Sequence, residues 1–320
     1  MPPAFSPGPL AIGTAPLGGL YSAVSDVTAT ATLRAALDAG ITHFDTAPHY
    51  GRGLAEARLG AFLSTVEPSA GLTVSTKVGR RVRRLDARAA DDIFLGAPPG
   101  ESVFDFTPTG VRAQLAESRA RLGRHFIDVA LLHDPDDHLD EVSGAVEELL
   151  RQRDAGDIGA IGVGTNSATV ATRLLDLVPL DVVLLAGRIT LLESTGDQVA
   201  ARCEAEGVTL IAAGVFQSGI LADAASNTYD YLPAPPDVRR RVDALREVCE
   251  RHDTTLHRAA IGLPRRVAGV TSTLVGVRSP EELSAAVEAY SANPPAELWQ
   301  SIEDLREVGG APPEHEGDHL

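Results

Sequence analysis

The chain is poor in the residues that carry the commonest alternative readings. Of its 320 residues, two are cysteine, one is methionine, one is tryptophan and 4% are aromatic. Cys203 and Cys249 both lie in helix-like stretches and give neither a disulfide framework nor a CxxC site. A reducing, cytoplasmic setting is therefore expected. Basic residues are also scarce: 28 Lys and Arg stand against 44 Asp and Glu, a formal charge of −16. A surface of that sign repels phosphate, which argues against nucleic acid or an anionic membrane as a partner. No run of 18 apolar residues occurs, so no membrane span is expected. The proline-rich start, Met1–Leu10, lacks the charged-then-apolar pattern of a secretion signal.

Lysine is the scarcest charged residue. There is one, Lys77; the other 27 basic residues (28 − 1) are arginine. Arginine cannot stand in for lysine where a compact, titratable ammonium is required, because guanidinium is planar, bulky and always charged. Alone, a surviving lysine is as easily a surface accident. Its setting decides otherwise, because Leu72–Val78 reads as a buried strand with Lys77 near the C-terminal end.

Apolar, β-branched runs alternate with segments of helical period. Strands are expected at Ile41–Thr46, Leu72–Val78, Phe126–His133, Ile158–Val163, Val182–Ala186, Val208–Ala213 and Ser272–Gly276, with Leu10–Leu17 as an eighth. Helical patterns fill Thr28–Ala39, Leu54–Leu63, Thr109–Leu122, Asp140–Ala155, Ala168–Leu177, Gly196–Glu206, Pro236–His252 and Pro280–Tyr290. Such alternation implies a parallel sheet, closed or doubly wound. One barrel over residues 1–308 and a disordered tail over 309–320 are expected. Two connections are long, Gly79–Pro108 and Phe216–Pro235, and barrels place substrate contacts in loops of that kind.

Titratable residues fall at the ends of successive strands. Asp45 ends one strand, Tyr50 follows five residues on, Lys77 ends the next strand and His133 ends the one after. In a barrel all four face one mouth. Each alone has an ordinary explanation as a cap, a loop packer or a core histidine; four at consecutive strand ends form a proton-handling set. An ammonium beside Tyr50 favours the phenolate and is expected to lower the tyrosine pKa from about 10. The run His133-Asp134-Pro135-Asp136-Asp137-His138 has metal-ligand types but reads as a solvated loop, and no metal is expected.

The stretch Phe44-Asp45-Thr46-Ala47-Pro48-His49-Tyr50-Gly51, followed by Glu56-Ala57-Arg58-Leu59-Gly60, resembles the signature of the aldo/keto reductase superfamily. The likeness spans roughly residues 10 to 305. It is nearest to the branch of the D-threo-aldose (L-fucose) and L-galactose dehydrogenases and pyridoxal 4-dehydrogenase. Supporting stretches are Leu185–Glu193, Gly214–Leu221 and Tyr229–Pro235. The resemblance implies a (β/α)8 TIM barrel and an NAD- or NADP-dependent oxidoreductase. Its catalytic residues would be Asp45, Tyr50, Lys77 and His133. It also implies that Asn166 holds the nicotinamide carboxamide. Gly214, Val215, Phe216, Gln217, Ser218 and Gly219 would wrap the pyrophosphate, and Arg278, Ser279 and Glu282 would meet the adenosine end. The implied substrate is a small carbonyl or sugar-like molecule, and the implied assembly a monomer or simple homo-oligomer.

Departures from the family pattern narrow the reading. Glu282 stands where an arginine often clamps the NADP 2′-phosphate, and Ala285-Ala286 replace a Glu-Asn pair. Ala213 stands where a tyrosine often stacks on nicotinamide, so Phe216 is expected to cover the ring. Walls from the loops after Lys77, His133 and Ala213, with Trp299 and the C-terminal segment, are expected for the substrate pocket. Two alternatives stay open: a specialised ketone or keto-sugar as substrate, and a nicotinamide-binding regulatory subunit without turnover.

Overall fold

The computed structural model describes residues 5–67, 71–86, 93–223, 225–230 and 232–309. In chain order the elements are β1 (Leu10–Gly13), α1 (Asp26–Asp38), β2 (His43–Asp45), α2 (Leu54–Leu63), β3 (Thr73–Val78), β4 (Arg80–Arg84), β5 (Gly100–Phe104), α3 (Pro108–Leu122) and β6 (Ile127–His133). There follow α4 (Val142–Asp154), β7 (Ile158–Thr165), α5 (Ala168–Leu177), β8 (Val182–Ala186), α6 (Asp197–Glu206), β9 (Thr209–Ala213), β10 (Thr228–Tyr229) and β11 (Leu232–Pro233). The chain ends with α7 (Pro236–Arg251), α8 (Leu256–Gly262), β12 (Val270–Gly276), α9 (Pro280–Ser291) and α10 (Ala296–Gly309).

Eight parallel strands close a barrel in sequence order, β1-β2-β3-β6-β7-β8-β9-β12, with β12 pairing back to β1. Period-two alternation sorts each strand's side chains to its two faces. Along β6, Val129 and Leu131 enter the barrel interior with Ala11, Leu184 and Ile211, whereas Ala130 and Leu132 face the helices. Along β2 and β3, Phe44, Val74 and Val78 join the helix-facing core. Their alternates His43, Asp45, Ser75 and Lys77 are all buried as well. The register sets Asp45 opposite Ser75, Lys77 opposite Leu131 and His133 opposite Gly164. A Cβ at Gly164 would stand 3.3 Å from Lys77 Cε, so a small residue there leaves room for the lysine stem.

The fold is the expected (β/α)8 barrel, with local differences. The first strand stops at Gly13, and Pro16–Gly18 forms a 3-10 turn instead of extending it. The long segment after β3 contains an antiparallel ribbon of β4 and β5, and the segment after β9 contains a second one of β10 and β11. Two helices, α8 and α10, were not expected. The first has only seven residues, too short to show a period. The second packs with α7 and α8 around a separate cluster that holds Trp299, Leu245, Val248 and Leu298. No helix among the described residues is long and apolar enough to cross a membrane. The expected frayed tail falls, from residue 310 on, outside the described residues, as do Met1–Ala4 and Tyr231.

Candidate active site

Asp45, Tyr50, Lys77 and His133 meet at one end of the barrel. Lys77 Nζ lies 2.6 Å from Asp45 Oδ2, 3.0 Å from the Thr46 carbonyl oxygen and 2.9 Å from the Tyr50 hydroxyl. An ammonium has three N–H donors, and these three acceptors take all of them. The Tyr50 oxygen therefore accepts from Lys77, and its own O–H is left to point elsewhere. Tyr50, Lys77 and His133 line one cavity of about 140 Å³. The Tyr50 and His133 rings meet edge-on, with centroids 5.8 Å apart.

Burial controls the protonation states. Burial alone would push the Lys77 ammonium down, but the Asp45 carboxylate, the Tyr50 oxygen and the hydrogen bonds to both outweigh it, and the net shift is upward. Lys77 is thus charged at neutral pH. Burial is the largest influence on Tyr50 and raises its pKa above the ordinary 10.0, although Lys77 pulls the other way. The expected lowering is thereby corrected: the ammonium is in place, but desolvation of the phenolate costs more than one neighbour returns. His133 is held well below the usual imidazole range, first by burial and then by Lys77, Arg80 and His49. It is neutral, with one N–H to give. Its Nε2 lies 3.4 Å from Asp134 Oδ2, and its buried Nδ1 has no hydrogen-bond partner among the described residues.

The rest of the cavity differs from the expected wall. From the segment after β3 come Arg80, Ile93 and Phe94, and from the loop after β6 comes Asp134, as anticipated. Among the described residues, the loop after β9 contributes none to the lining; Leu20 after β1 and Ala186 at the end of β8 take its place. Trp299 is 5% exposed and packs under the Arg266 guanidinium at 4.8 Å, so it is a core residue and not a wall. Sequence reasoning missed Arg80, which pairs with Asp134 at 3.0 Å inside the cavity. In the run Arg80-Arg81-Val82-Arg83-Arg84 strand parity sets it apart from exposed Arg81 and Arg83 but not from exposed Arg84, so nothing in the sequence singles it out. It also missed His49, whose Nδ1 meets Ser102 Oγ at 2.7 Å and whose ring faces His133.

The expected cofactor residues fall in two further places. Asn166 lines the cavity beside Thr165. Gly214–Gly219 forms a tight loop in which Gly214, Gln217, Ser218 and Gly219 all have positive φ. Where Phe216 (φ −95°, ψ 4°) precedes left-handed Gln217 (φ 45°), successive backbone N–H groups turn toward a shared concavity suited to an anion. Among the described residues the amides of Val215 and Phe216 have no acceptor, which fits a pyrophosphate. Phe216 does not reach the cavity; it stacks on His257 at 4.7 Å and 12°. At the start of α9, Ser279 caps the helix, while Glu282 accepts from the Arg278 backbone N–H at 2.8 Å and from its Nε at 2.9 Å. Among the described residues no three His, Cys, Asp or Glu side chains converge as metal ligands; His138 instead pairs with Glu141 at 2.9 Å.

The profile of the aldo/keto reductase family matches residues 9–307. The chain is 39% identical over 308 residues to a D-threo-aldose 1-dehydrogenase of a Pseudomonas species, covering 93% of each. It is 34% identical to a pyridoxal 4-dehydrogenase of Microbacterium luteolum, with 92% of each covered. To an Arabidopsis thaliana L-galactose dehydrogenase it is 27% identical, over 92% of this chain and 89% of the relative. Among solved structures, a glycerol dehydrogenase of Gluconobacter oxydans superimposes with a TM-score of 0.76 at 23% identity, over 99% of this chain and 98% of that one. The chain belongs to the aldo/keto reductase family of oxidoreductases.

Proposed function

We propose that the protein transfers a hydride between a nicotinamide dinucleotide and the carbonyl or lactol carbon of a small sugar-like or aldehyde substrate. The observation that carries this is the Lys77 ammonium, whose three donors are taken by Asp45, Thr46 and Tyr50. That arrangement leaves the Tyr50 O–H to serve the cavity. Asn166, the Gly214–Gly219 loop and the Arg278–Glu282 segment are the residues that would hold the cofactor, which supplies or accepts the hydride when bound.

The chain's own groups handle the proton. In reduction, Tyr50 gives its proton to the carbonyl oxygen, and Lys77 steadies the phenolate left behind. Neutral His133 donates to the same oxygen and orients it. In oxidation, Tyr50 as phenolate removes the hydroxyl proton. Asp45 keeps Lys77 charged and fixed. The relatives named for D-threo-aldoses and pyridoxal support a small polar carbonyl or lactol as substrate.

NAD is the proposed cofactor over NADP. Glu282 already engages Arg278 through both carboxylate oxygens, and a second acidic residue, Glu281, shares that first helical turn. An added phosphate would have to compete with carboxylates for one guanidinium.

The test is nicotinamide absorbance with aldoses, pyridoxal and simple aldehydes, using NAD and NADP in both directions. Tyr50→Phe should lower kcat by roughly a hundred- to ten-thousand-fold while cofactor still quenches intrinsic fluorescence. Near-full activity of that variant would reject the mechanism. Quenching without turnover on any substrate would point to a regulatory subunit. Turnover with NADP alone would reject the cofactor reading and keep the rest.

A further inference from the structure

Below the four site residues, the barrel interior contains a polar string. The same faces of β2 and β3 that present Asp45 and Lys77 present His43 and Ser75 two residues earlier. Ser75 Oγ lies 2.7 Å from Asp45 Oδ1, and His43 Nε2 lies 3.0 Å from Ser75 Oγ. All four are nearly inaccessible: His43 is 0% exposed, Asp45 and Ser75 1%, and Lys77 2%. Their surroundings are apolar. The barrel's inner cluster is built of Ala11, Val129, Leu131, Ile211 and similar residues, with Phe5 edge-on to the His43 ring at 5.2 Å.

The direction of every bond follows from the groups. A carboxylate only accepts, so the single Ser75 hydroxyl proton goes to Asp45. Ser75 therefore accepts from His43, and His43 carries its proton on Nε2. Burial pushes His43 down to about 4, so it is neutral at physiological pH and Nδ1 is bare; that atom has no hydrogen-bond partner among the described residues. Stability gives little reason for this arrangement. Two apolar residues of similar shape would serve a barrel core as well or better, and one buried nitrogen here is left unsatisfied. The string does fix geometry. With Oδ1 held by Ser75 and Oδ2 by Lys77, the Asp45 carboxylate cannot rotate. Its fixed plane sets the Lys77 ammonium, which in turn sets the charge felt by Tyr50.

We propose that Ser75, oriented by His43, is a positioning residue for the Asp45–Lys77–Tyr50 relay, so that the catalytic arrangement extends to the floor of the barrel. This rests on Tyr50 being the proton donor and acceptor. Removing the Ser75 hydroxyl frees Asp45 to turn, loosens Lys77 from Tyr50, and makes the phenolate harder to form.

The experiment measures the pH profile of kcat for the oxidation direction, and the ultraviolet phenolate titration of Tyr50 by difference against Tyr50→Phe. It uses Ser75→Ala, Ser75→Thr and His43→Leu, with thermal unfolding in parallel. Ser75→Ala and His43→Leu should move the alkaline limb and the titration upward by half a pH unit or more and lower kcat several-fold. Ser75→Thr, which restores a hydroxyl, should return both toward wild type. Profiles that superimpose on wild type while the unfolding temperature falls would overturn the proposal and leave a packing role. Should Ser75→Ala not fold, His43→Leu still reads the string from its other end. The titration reports on the string without turnover, so failure of the proposed reaction and failure of the positioning role are separable.

Discussion

At the scale of single residues, protonation state decides which direction of reaction is easy. Tyr50 is pushed above 10.0 by burial, so the phenol stays protonated through the neutral range. In the proposed reaction, reduction needs the protonated form, which is present below that raised pKa and lost only as pH rises through it. Oxidation needs the phenolate and is starved at neutral pH. Oxidation kcat should therefore climb steadily with pH across the neutral and mildly alkaline range, while reduction shows no matching fall; steady-state rates in both directions at several pH values check this. Lys77→Met should deepen the asymmetry. It removes both the charge and the hydrogen bond through which Lys77 lowers the Tyr50 pKa, and leaves Asp45 buried with no ammonium, so oxidation should lose roughly a hundred-fold or more. Equal losses in both directions would show instead that Lys77 mainly shapes the cavity. Asp45, Tyr50, Lys77 and His133 were legible in the sequence because three end predicted strands and one follows closely. His43 and Ser75 were not, although strand parity places each two residues before a charged partner. A buried Ser or His announces nothing until its neighbour across the sheet is known.

At the scale of elements, Tyr50 depends on how α2 is seated. Glu56 is 0% exposed, accepts from Thr76 Oγ1 at 2.7 Å and pairs with Arg121 Nε at 2.6 Å. It thereby ties α2 to the outer face of β3 and to α3. The acidic residue of the signature is thus a structural clasp. Glu56→Ala leaves the Arg121 guanidinium and the Thr76 hydroxyl without it, and should cost about 3 kcal/mol in a denaturant titration. The loop ahead of α2 is sensitive in another way. Gly51 has a φ of 60°, and a Cβ there would stand 2.3 Å from the Gly18 carbonyl oxygen. Gly51→Ala must shift the backbone adjoining Tyr50. Its loss of kcat should exceed what its change in unfolding midpoint accounts for, whereas Glu56→Ala should show the reverse. Identical behaviour of the two would mean that the loop and helix act as one rigid unit.

At the scale of the whole molecule, the barrel was readable because its strands are buried on both faces and so write themselves as unbroken apolar runs between helical periods. The departures lie where burial comes from elsewhere. Helix α10 finds its partner in α7, far off in sequence, and the ribbon of β4 and β5 is too arginine-rich and exposed to look like sheet. A second property of the whole is charge. At −16 the protein repels an anionic dinucleotide over distances comparable with the Debye length, about 10 Å at 0.1 M salt. Near the proposed adenosine end, Arg278 is already matched by Glu282 at 2.9 Å and offers little local attraction to oppose that field. Added salt screens the repulsion. Raising ionic strength from roughly 0.01 to 0.15 M should therefore tighten the binding of both cofactors, and more so for the one bearing the extra phosphate. Fluorescence-quenching titrations at the two salt concentrations read this directly. Binding that weakens with salt, most of all for the phosphorylated cofactor, would mean that a local arginine clamp overrides the global charge, and the proposed preference for NAD would fall with it.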